Sequence, residues 1–145
     1  MEAAKHYQAL FQELERRHGR LDDDTLTSII GFSAGGPVSL SKLEKKKIFV
    51  TCELSLHPDQ KKSSDGLKFE LLSLGAFGEA ACRTLFTALG NLSMNDTLGD
   101  GHTVDVSGVM PSGEPAQVRL ELFSAVDIGD RKFGVYQVSP ADRVV

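Results

Sequence analysis

Cysteine is scarce in this chain, and tryptophan is absent. The two cysteines, Cys52 and Cys82, are too far apart in sequence for a C-x-x-C motif or a zinc-binding pair. Both have apolar neighbours, and free cysteine is among the most frequently buried residue types. We therefore expect two buried free thiols rather than a disulfide, which fits the reducing cytosol.

Long apolar runs and an excess of basic residues are also missing. No apolar stretch approaches the roughly 18 residues that a membrane-spanning helix needs, and the N-terminal MEAAKHYQAL lacks the apolar region of a secretory signal. The net charge of −4 and the isoelectric point near 5.5 are not those of a nucleic-acid-binding protein. We expect a soluble cytoplasmic protein with no membrane or nucleic-acid partner.

The chain does have enough apolar side chains to form a core. Hydrophobic residues make up 41% of the 145 positions, and charged residues make up 25%. These values are typical of a soluble globular protein. Residues 1–145 are therefore expected to form a single domain that needs no disulfide, metal or cofactor to fold.

Two segments have the periodicity of amphipathic helices, residues 2–18 and residues 77–92. The apolar face of the first is formed by Ala3, Tyr7, Leu10, Phe11, Leu14 and His18. The stripe of the second is formed by Ala81, Leu85, Ala88, Leu89 and Leu92. Gly19 follows the first segment and is placed to end that helix.

Strand patterns occupy most of the remaining chain, at residues 25–33, 48–56, 67–74, 119–126 and 132–138, with a hairpin turn at 128–131. The alternation in residues 48–56 predicts a half-buried strand with Thr51, Glu53 and Ser55 facing outward. In the third strand, Lys68 and Glu70 are interpreted as facing water. No regular βαβ alternation is present, so we predict an α+β fold: a mainly antiparallel sheet of five to six strands with an N-terminal and a central helix packed on it.

The stretch GFSAG, residues 31–35, matches the G-x-S-x-G pattern of serine hydrolases. That motif needs a helix directly after the serine, so that the hydroxyl is exposed on a sharp turn. Here Gly35, Gly36 and Pro37 follow, which favours a turn. Ser33 is therefore interpreted as a turn residue. The alternative is a hydrolase in which Ser33 is the nucleophile and His102, with Asp96 or Asp100, completes the catalytic triad.

No metal site is predicted from spacing. Residues 96–105 resemble a calcium loop only superficially, because Leu98 and Ser107 occupy two ligand positions of the motif. The four histidines, His6, His18, His57 and His102, have no paired spacing. The lysines at 45–47 and 61–62 are interpreted as a solvated edge, with binding of an acidic partner as the alternative.

One segment carries a family resemblance. LGDGHTV, residues 98–104, resembles the L-G-x-G-H-T-[IV] stretch of the suppressor-of-fused-like family. The surrounding segments RTLFTALGNLSMNDT, TSIIGFSAGGPVSL and GDRKFGVYQVSPAD are similar in outline. The resemblance implies a small α+β domain that binds another protein and has no catalytic role. Bacterial members of such families include immunity proteins, which neutralise a partner toxin. Gly101, His102 and Thr103 would be its motif residues, with His102 anchoring the loop.

Two alternatives stay open beside this protein-binding function. The first is a small acidic secretion chaperone, which holds an extended client and is an obligate homodimer with a large apolar interface. The second is an enzyme with Ser33 as nucleophile and His102 as base, which requires both side chains within hydrogen-bond reach in one cleft.

Overall fold

The computed structural model describes residues 2–18, 40–43, 48–51, 54–110, 116–127 and 132–141. Its helices are α1 (Glu2–His18) and α2 (Glu79–Ser93), with a single 3-10 turn at Leu54–Leu56. Its strands are β1 (Leu40–Leu43), β2 (Ile48–Thr51), β3 (Lys68–Leu74), β4 (Thr103–Asp105), β5 (Gln117–Asp127) and β6 (Lys132–Pro140).

The six described strands form one sheet in the order β1-β2-β3-β6-β5-β4. All neighbouring pairs are antiparallel except β3 and β6, which run parallel at the centre. Two antiparallel meanders therefore meet along one parallel pair, and α2 lies between them in the chain. This confirms the predicted α+β class and the mainly antiparallel sheet.

The two helices pack on opposite faces of this sheet. One core cluster joins α2, through residues such as Leu85 and Phe86, to Phe69 and Leu71 of β3. The other joins Leu10 and Leu14 of α1 to Val50, Leu72, Phe133 and Val135. Successive residues of a strand point to opposite faces, so a helix on each face buries the middle residues of the central strands, Phe69–Ser73 of β3 and Phe133–Tyr136 of β6.

This two-sided burial overturns the predicted pattern of residues 48–56. All four residues of β2 are buried, including Thr51, and so is Ser55 beyond its end. The regular strand also ends at Thr51, and a 3-10 turn follows at Leu54–Leu56. An alternating pattern is typical of a strand with one wet face. Here Thr51 and Ser55 are buried, and both donate hydrogen bonds to a buried carboxylate.

That carboxylate belongs to Glu70, which the sequence pattern placed in water and which is fully buried. It accepts hydrogen bonds from the Thr51 hydroxyl at 2.7 Å, from the amides of Leu54 and Ser55 at 3.1 and 2.8 Å, and from the Ser55 hydroxyl at 2.5 Å. Four donors satisfy the two side-chain oxygens of Glu70, which would otherwise be costly to bury. The Glu70 side chain thus fixes the backbone at Leu54 and Ser55, just beyond the end of β2.

Both predicted helices are present. In α1, Leu10 and Leu14 are fully buried and Phe11 is partly buried. The helix α2 begins at Glu79, after Gly75 ends β3 with a φ of 90°. Such a positive φ favours glycine.

Several predictions fall outside the described residues: the strand at 25–33 with Ser33 and its GFSAG turn, Cys52 and Glu53, Gly19, the lysines at 45–47, and the turn at 128–131. The strands on either side of that last turn do pair, from Asp127 opposite Lys132.

Candidate functional site

The loop that carries the LGDGHTV stretch packs against a second loop, Ser63–Gly66. The amide of Ser64 donates to the carbonyl of Leu98 at 2.8 Å, and the amide of Asp100 donates to Oδ2 of Asp65 at 3.3 Å. Gly99 is required at this contact, because a Cβ there would lie 1.8 Å from the Ser64 Oγ. The two loops are therefore joined through both backbone and side-chain atoms.

A buried tyrosine bonds the Ser63–Gly66 loop, which in turn bonds the LGDGHTV loop through Asp65. The hydroxyl of Tyr136, in β6, donates a hydrogen bond to the Asp65 carboxylate and shares another, of 2.8 Å, with the Ser63 hydroxyl. Its ring packs edge-to-face on Phe69, with the centroids 5.2 Å apart. Burial of a tyrosine in this way requires a partner for its hydroxyl, and the loop supplies it.

The same contacts set the charge of the cluster. The Tyr136 hydrogen bond, the Asp100 amide and the nearby His102 lower the pKa of Asp65, which holds this exposed carboxyl as a carboxylate near neutral pH. Burial raises the pKa of Tyr136, and the Asp65 charge raises it further. Tyr136 therefore stays protonated as the donor.

Asp100 and Gly101 connect this loop to β5. Oδ1 of Asp100 accepts the amide of Leu122 at 2.8 Å, and the Gly101 amide donates to the Leu120 carbonyl at 2.7 Å. Gly101 has a φ of 85°, a conformation that residues with a Cβ rarely adopt. The glycine of the GHT motif is thus a backbone requirement of the turn.

His102 differs from its predicted role. Its carbonyl accepts the Leu120 amide at 2.8 Å and its own amide donates to Gly99 at 3.1 Å, so its backbone is fixed. Its side chain is exposed and forms no hydrogen bond with any residue that the structure describes. The side-chain anchor predicted from the sequence is not found there. Instead Asp65, whose carboxylate accepts the Tyr136 hydroxyl, accepts the amide of Asp100 in this loop.

Beyond His102, β4 forms one edge of the sheet. The backbone groups of residues 102 and 106 form hydrogen bonds with β5. Because these bonding directions alternate along an antiparallel strand, the amides and carbonyls of Thr103 and Asp105 point away from β5. No strand in the described part of the chain pairs with them. Oδ1 of Asp105 accepts the Ser107 amide at 2.9 Å, which turns the chain at the end of this short edge.

An exposed apolar side chain lies beside this edge. Leu122 is 40% exposed, and among the described residues only Val109, at 46%, is a comparably exposed large apolar residue. Leu122 lies opposite Tyr136 in the sheet, and a Cβ on Gly134 would lie 3.5 Å from its Cδ1. Leu122 thus adjoins the Asp100 carboxylate that binds its amide.

We call these neighbouring groups the β4 surface: the exposed residues Asp65, Asp100, Gly101, His102, Thr103, Asp105 and Leu122. It brings together the three predicted motif residues, Gly101, His102 and Thr103. It adds the carboxylates of Asp65, Asp100 and Asp105 and the apolar side chain of Leu122. Of these four residues, sequence reasoning linked only Asp100 to the motif, as a partner of His102 in the hydrolase alternative.

Other features of the described chain offer less chemistry. No three His, Cys, Asp or Glu side chains among the described residues are placed to hold a metal ion. Cys82 is free and buried, as predicted, and burial raises the pKa of its thiol, so it is a poor nucleophile. Neither described helix has the length and apolarity to cross a membrane.

A cleft of about 290 Å³ separates α1 from the end of β5. The charged side chains on its helix side are already paired: Glu13 bonds Arg16 at 2.9 Å and accepts the Ser124 hydroxyl at 2.7 Å. Arg17 pairs with Glu13 at 3.2 Å and stacks over the Phe123 ring at 4.5 Å. These contacts fix the helix on the sheet rather than present groups to a ligand.

Comparison with models of known protein families and with curated proteins yields no match to this chain. The resemblance to the suppressor-of-fused-like family stays a prediction.

Proposed function

We propose that this chain is a non-enzymatic protein-binding domain and that the β4 surface is where it binds. The observation that carries the proposal is the contrast within the GHT segment. The backbone of Gly101 and His102 is held by hydrogen bonds to β5, while the side chains of His102 and Thr103 are exposed. A backbone that is already fixed loses little further backbone entropy when a partner binds, and the exposed side chains are accessible to that partner.

The edge strand supports the same proposal. The outward amides and carbonyls of Thr103 and Asp105 are the groups with which an extended segment of another protein adds to a sheet. The edge is only three residues long, so backbone pairing alone would give a weak complex. The exposed Leu122 and the adjoining carboxylates add side-chain contacts to it.

Affinity capture from the lysate of the source cells tests this function. The bait is the tagged chain, compared with Leu122→Asp on the β4 surface and with Thr84→Asp on the exposed face of α2. We expect a stoichiometric protein with the unaltered chain and with Thr84→Asp, and its loss with Leu122→Asp. Thermal unfolding of all three proteins checks that each is folded.

Light scattering on the same preparations separates the proposal from its rivals. A monomer that captures one toxin-like protein would support the immunity-type role implied by the family resemblance. A dimer that holds an extended client equally well after Leu122→Asp would favour the secretion chaperone and reject the β4 surface. An ester hydrolysis rate lost in Ser33→Ala would favour the enzyme.

A further inference from the structure

The β4 surface carries three carboxylates, those of Asp65, Asp100 and Asp105, and the exposed Arg119 lies opposite Thr103 in β5. Three aspartates and no lysine or arginine occur between Met94 and Met110, and two of them, Asp100 and Asp105, belong to this surface. The turn at Ser63–Gly66 adds the carboxylate of Asp65, whose Oδ2 is 3.3 Å from the Asp100 amide. Hydrogen bonding keeps Asp65 ionised, since the Tyr136 hydroxyl lowers its pKa. Two exposed carboxylates are thus held next to each other.

An apolar surface adjoins these charges directly. Leu122 is joined to Asp100 by the 2.8 Å bond between its amide and Oδ1. The half-buried Leu67 lies on the same side, because its Cδ1 and that of Leu122 are 3.2 and 3.5 Å from the Cβ position of Gly134. The absence of a side chain at Gly134 leaves space for the two leucines. An apolar surface next to a carboxylate is complementary to a lysine or arginine side chain, because its aliphatic stem can pack on the leucines while its cationic end bonds the carboxylate.

We propose that the partner's binding segment is an extended strand that carries a lysine or arginine beside an apolar residue. Its backbone pairs with the outward groups of Thr103 and Asp105. Its cation lies at the carboxylates of Asp65 and Asp100, and its apolar atoms cover Leu122. This inference rests on the proposed function, and it specifies the chemistry of the partner.

Charge decides between this partner and a second copy of the chain. A two-fold pairing of β4 with itself would place the same surface patch against its own copy. In an antiparallel pairing centred on Val104, Asp105 of one copy would lie opposite Thr103 of the other. The carboxylates of both copies would then share one interface, where like charges disfavour association. A basic segment reverses the sign of that interaction.

Selection of displayed peptides tests the inference without a known partner. The probe is a random library of 12-residue peptides, selected on the full chain. The selection is repeated on a double variant, Asp65→Asn with Asp100→Asn. Asparagine keeps an acceptor oxygen for the Tyr136 hydroxyl and for the Leu122 amide, so the change removes charge and preserves the fold. A matched control, Asp59→Asn with Glu121→Gln, removes two exposed charges elsewhere.

We expect the unaltered chain and the control to enrich peptides with lysine or arginine next to apolar residues. Binding of such a peptide should weaken about tenfold in the Asp65→Asn, Asp100→Asn variant, as for two exposed ion pairs. Binding should also weaken when salt is raised from about 0.05 to 0.5 M, because the higher salt screens charge–charge attraction beyond a few ångströms.

The contrary outcomes are distinct. If the enriched peptides are apolar without basic residues and Leu122→Asp abolishes their binding, the surface binds but the basic partner is rejected. If no selected peptide is sensitive to Leu122→Asp or to the carboxylate variants, both the inference and the β4 surface fail. If the charge control weakens binding as much as the test variant, the effect is one of net charge and the site is rejected.

Discussion

The amide of Leu122 donates a hydrogen bond of 2.8 Å to Oδ1 of Asp100. The β4–β5 ladder pairs Thr103 with Arg119 and ends there, and this carboxylate supplies the acceptor that a longer strand would have provided. The Asp100 side chain thus satisfies the first β5 amide beyond the ladder and holds the GHT turn against β5. It also contributes a negative charge to the β4 surface. The relationship explains why the turn is well held although most of its residues are exposed.

Replacement of Asp100 should release this amide. We expect amide hydrogen exchange of Leu122 to accelerate in Asp100→Ala, because the amide loses its acceptor, and to remain close to the unaltered rate in Asp100→Asn, which keeps an oxygen in place. Exchange at Leu120, whose amide donates to the His102 carbonyl, is the internal reference. Equal exchange at Leu122 in both variants would contradict the role assigned to the carboxylate.

Truncation of Glu70 should be among the most damaging single changes. Glu70→Ala leaves the Thr51 and Ser55 hydroxyls and two amides without their acceptor, and each buried unsatisfied group costs about 1–3 kcal/mol. We expect a loss of more than about 3 kcal/mol in the free energy of unfolding, measured with urea. Glu121→Ala on the exposed face should cost under about 0.5 kcal/mol. Similar losses for the two variants would show that Glu70 is not the buried acceptor described.

Two glycines of neighbouring loops provide a matched comparison. Gly101 has a φ of 85°, whereas Gly108 has no such conformation, and a Cβ at either meets nothing within 4 Å. Gly101→Ala should therefore destabilise through backbone strain alone, by about 1–2 kcal/mol, and Gly108→Ala should not lower stability by that mechanism. Urea unfolding of both variants measures the difference. If Gly108→Ala were the more damaging change, the assigned conformation of Gly101 would be wrong.

The Asp65–Tyr136 pair predicts how stability depends on pH. The pKa of Asp65 is lowered on folding, so its contribution is present above the ordinary aspartate pKa and is lost as the pH falls toward the lowered value. The pKa of Tyr136 is raised, so its contribution is present below the ordinary tyrosine pKa and is lost as the pH rises above it.

Urea unfolding across the pH range checks both the loss of stability at acid pH and the loss at alkaline pH. In Tyr136→Phe we expect lower stability near neutral pH and a smaller decline at either end. An unchanged pH profile in Tyr136→Phe would disprove the coupling between these two groups.

The two helix faces differ in their expected cost of truncation. Leu85 of α2 is fully buried, and Leu85→Ala should lower stability by about 2–5 kcal/mol. The sequence pattern predicts the same for Phe11→Ala, but Phe11 is only partly buried, so we now expect a smaller loss for it than for Leu14→Ala. Thermal or urea unfolding of the three variants gives the order. A loss for Phe11→Ala above that for Leu14→Ala would mean that α1 is rotated on the sheet.

Local patterns predicted the two helices, the strands β3, β5 and β6 and the start of β2, but not the short edge strands β1 and β4. The period of about 3.6 in residues 2–18 identifies α1, because a helix on a sheet needs one continuous apolar stripe. Gly75 and the turn-rich segment at 57–66 mark the limits of β3, because glycine and turn residues adopt conformations that interrupt a strand. The buried free thiol of Cys82 also follows from its apolar neighbours.

The tertiary structure decided which polar residues are buried and which loops meet. Whether Glu70 faces water depends on the helices that cover both faces of the sheet, and no short-range pattern contains that information. The contact of Asp65 with Asp100 and Tyr136 joins segments distant in the chain, and it exists because β3 and β6 run parallel at the centre of the sheet. The sequence alone indicated the helices, the longer strands and the glycine-rich loop that contains Asp100 and the GHT segment. Long-range strand pairing placed Asp65 and Leu122 beside that loop and made it a surface.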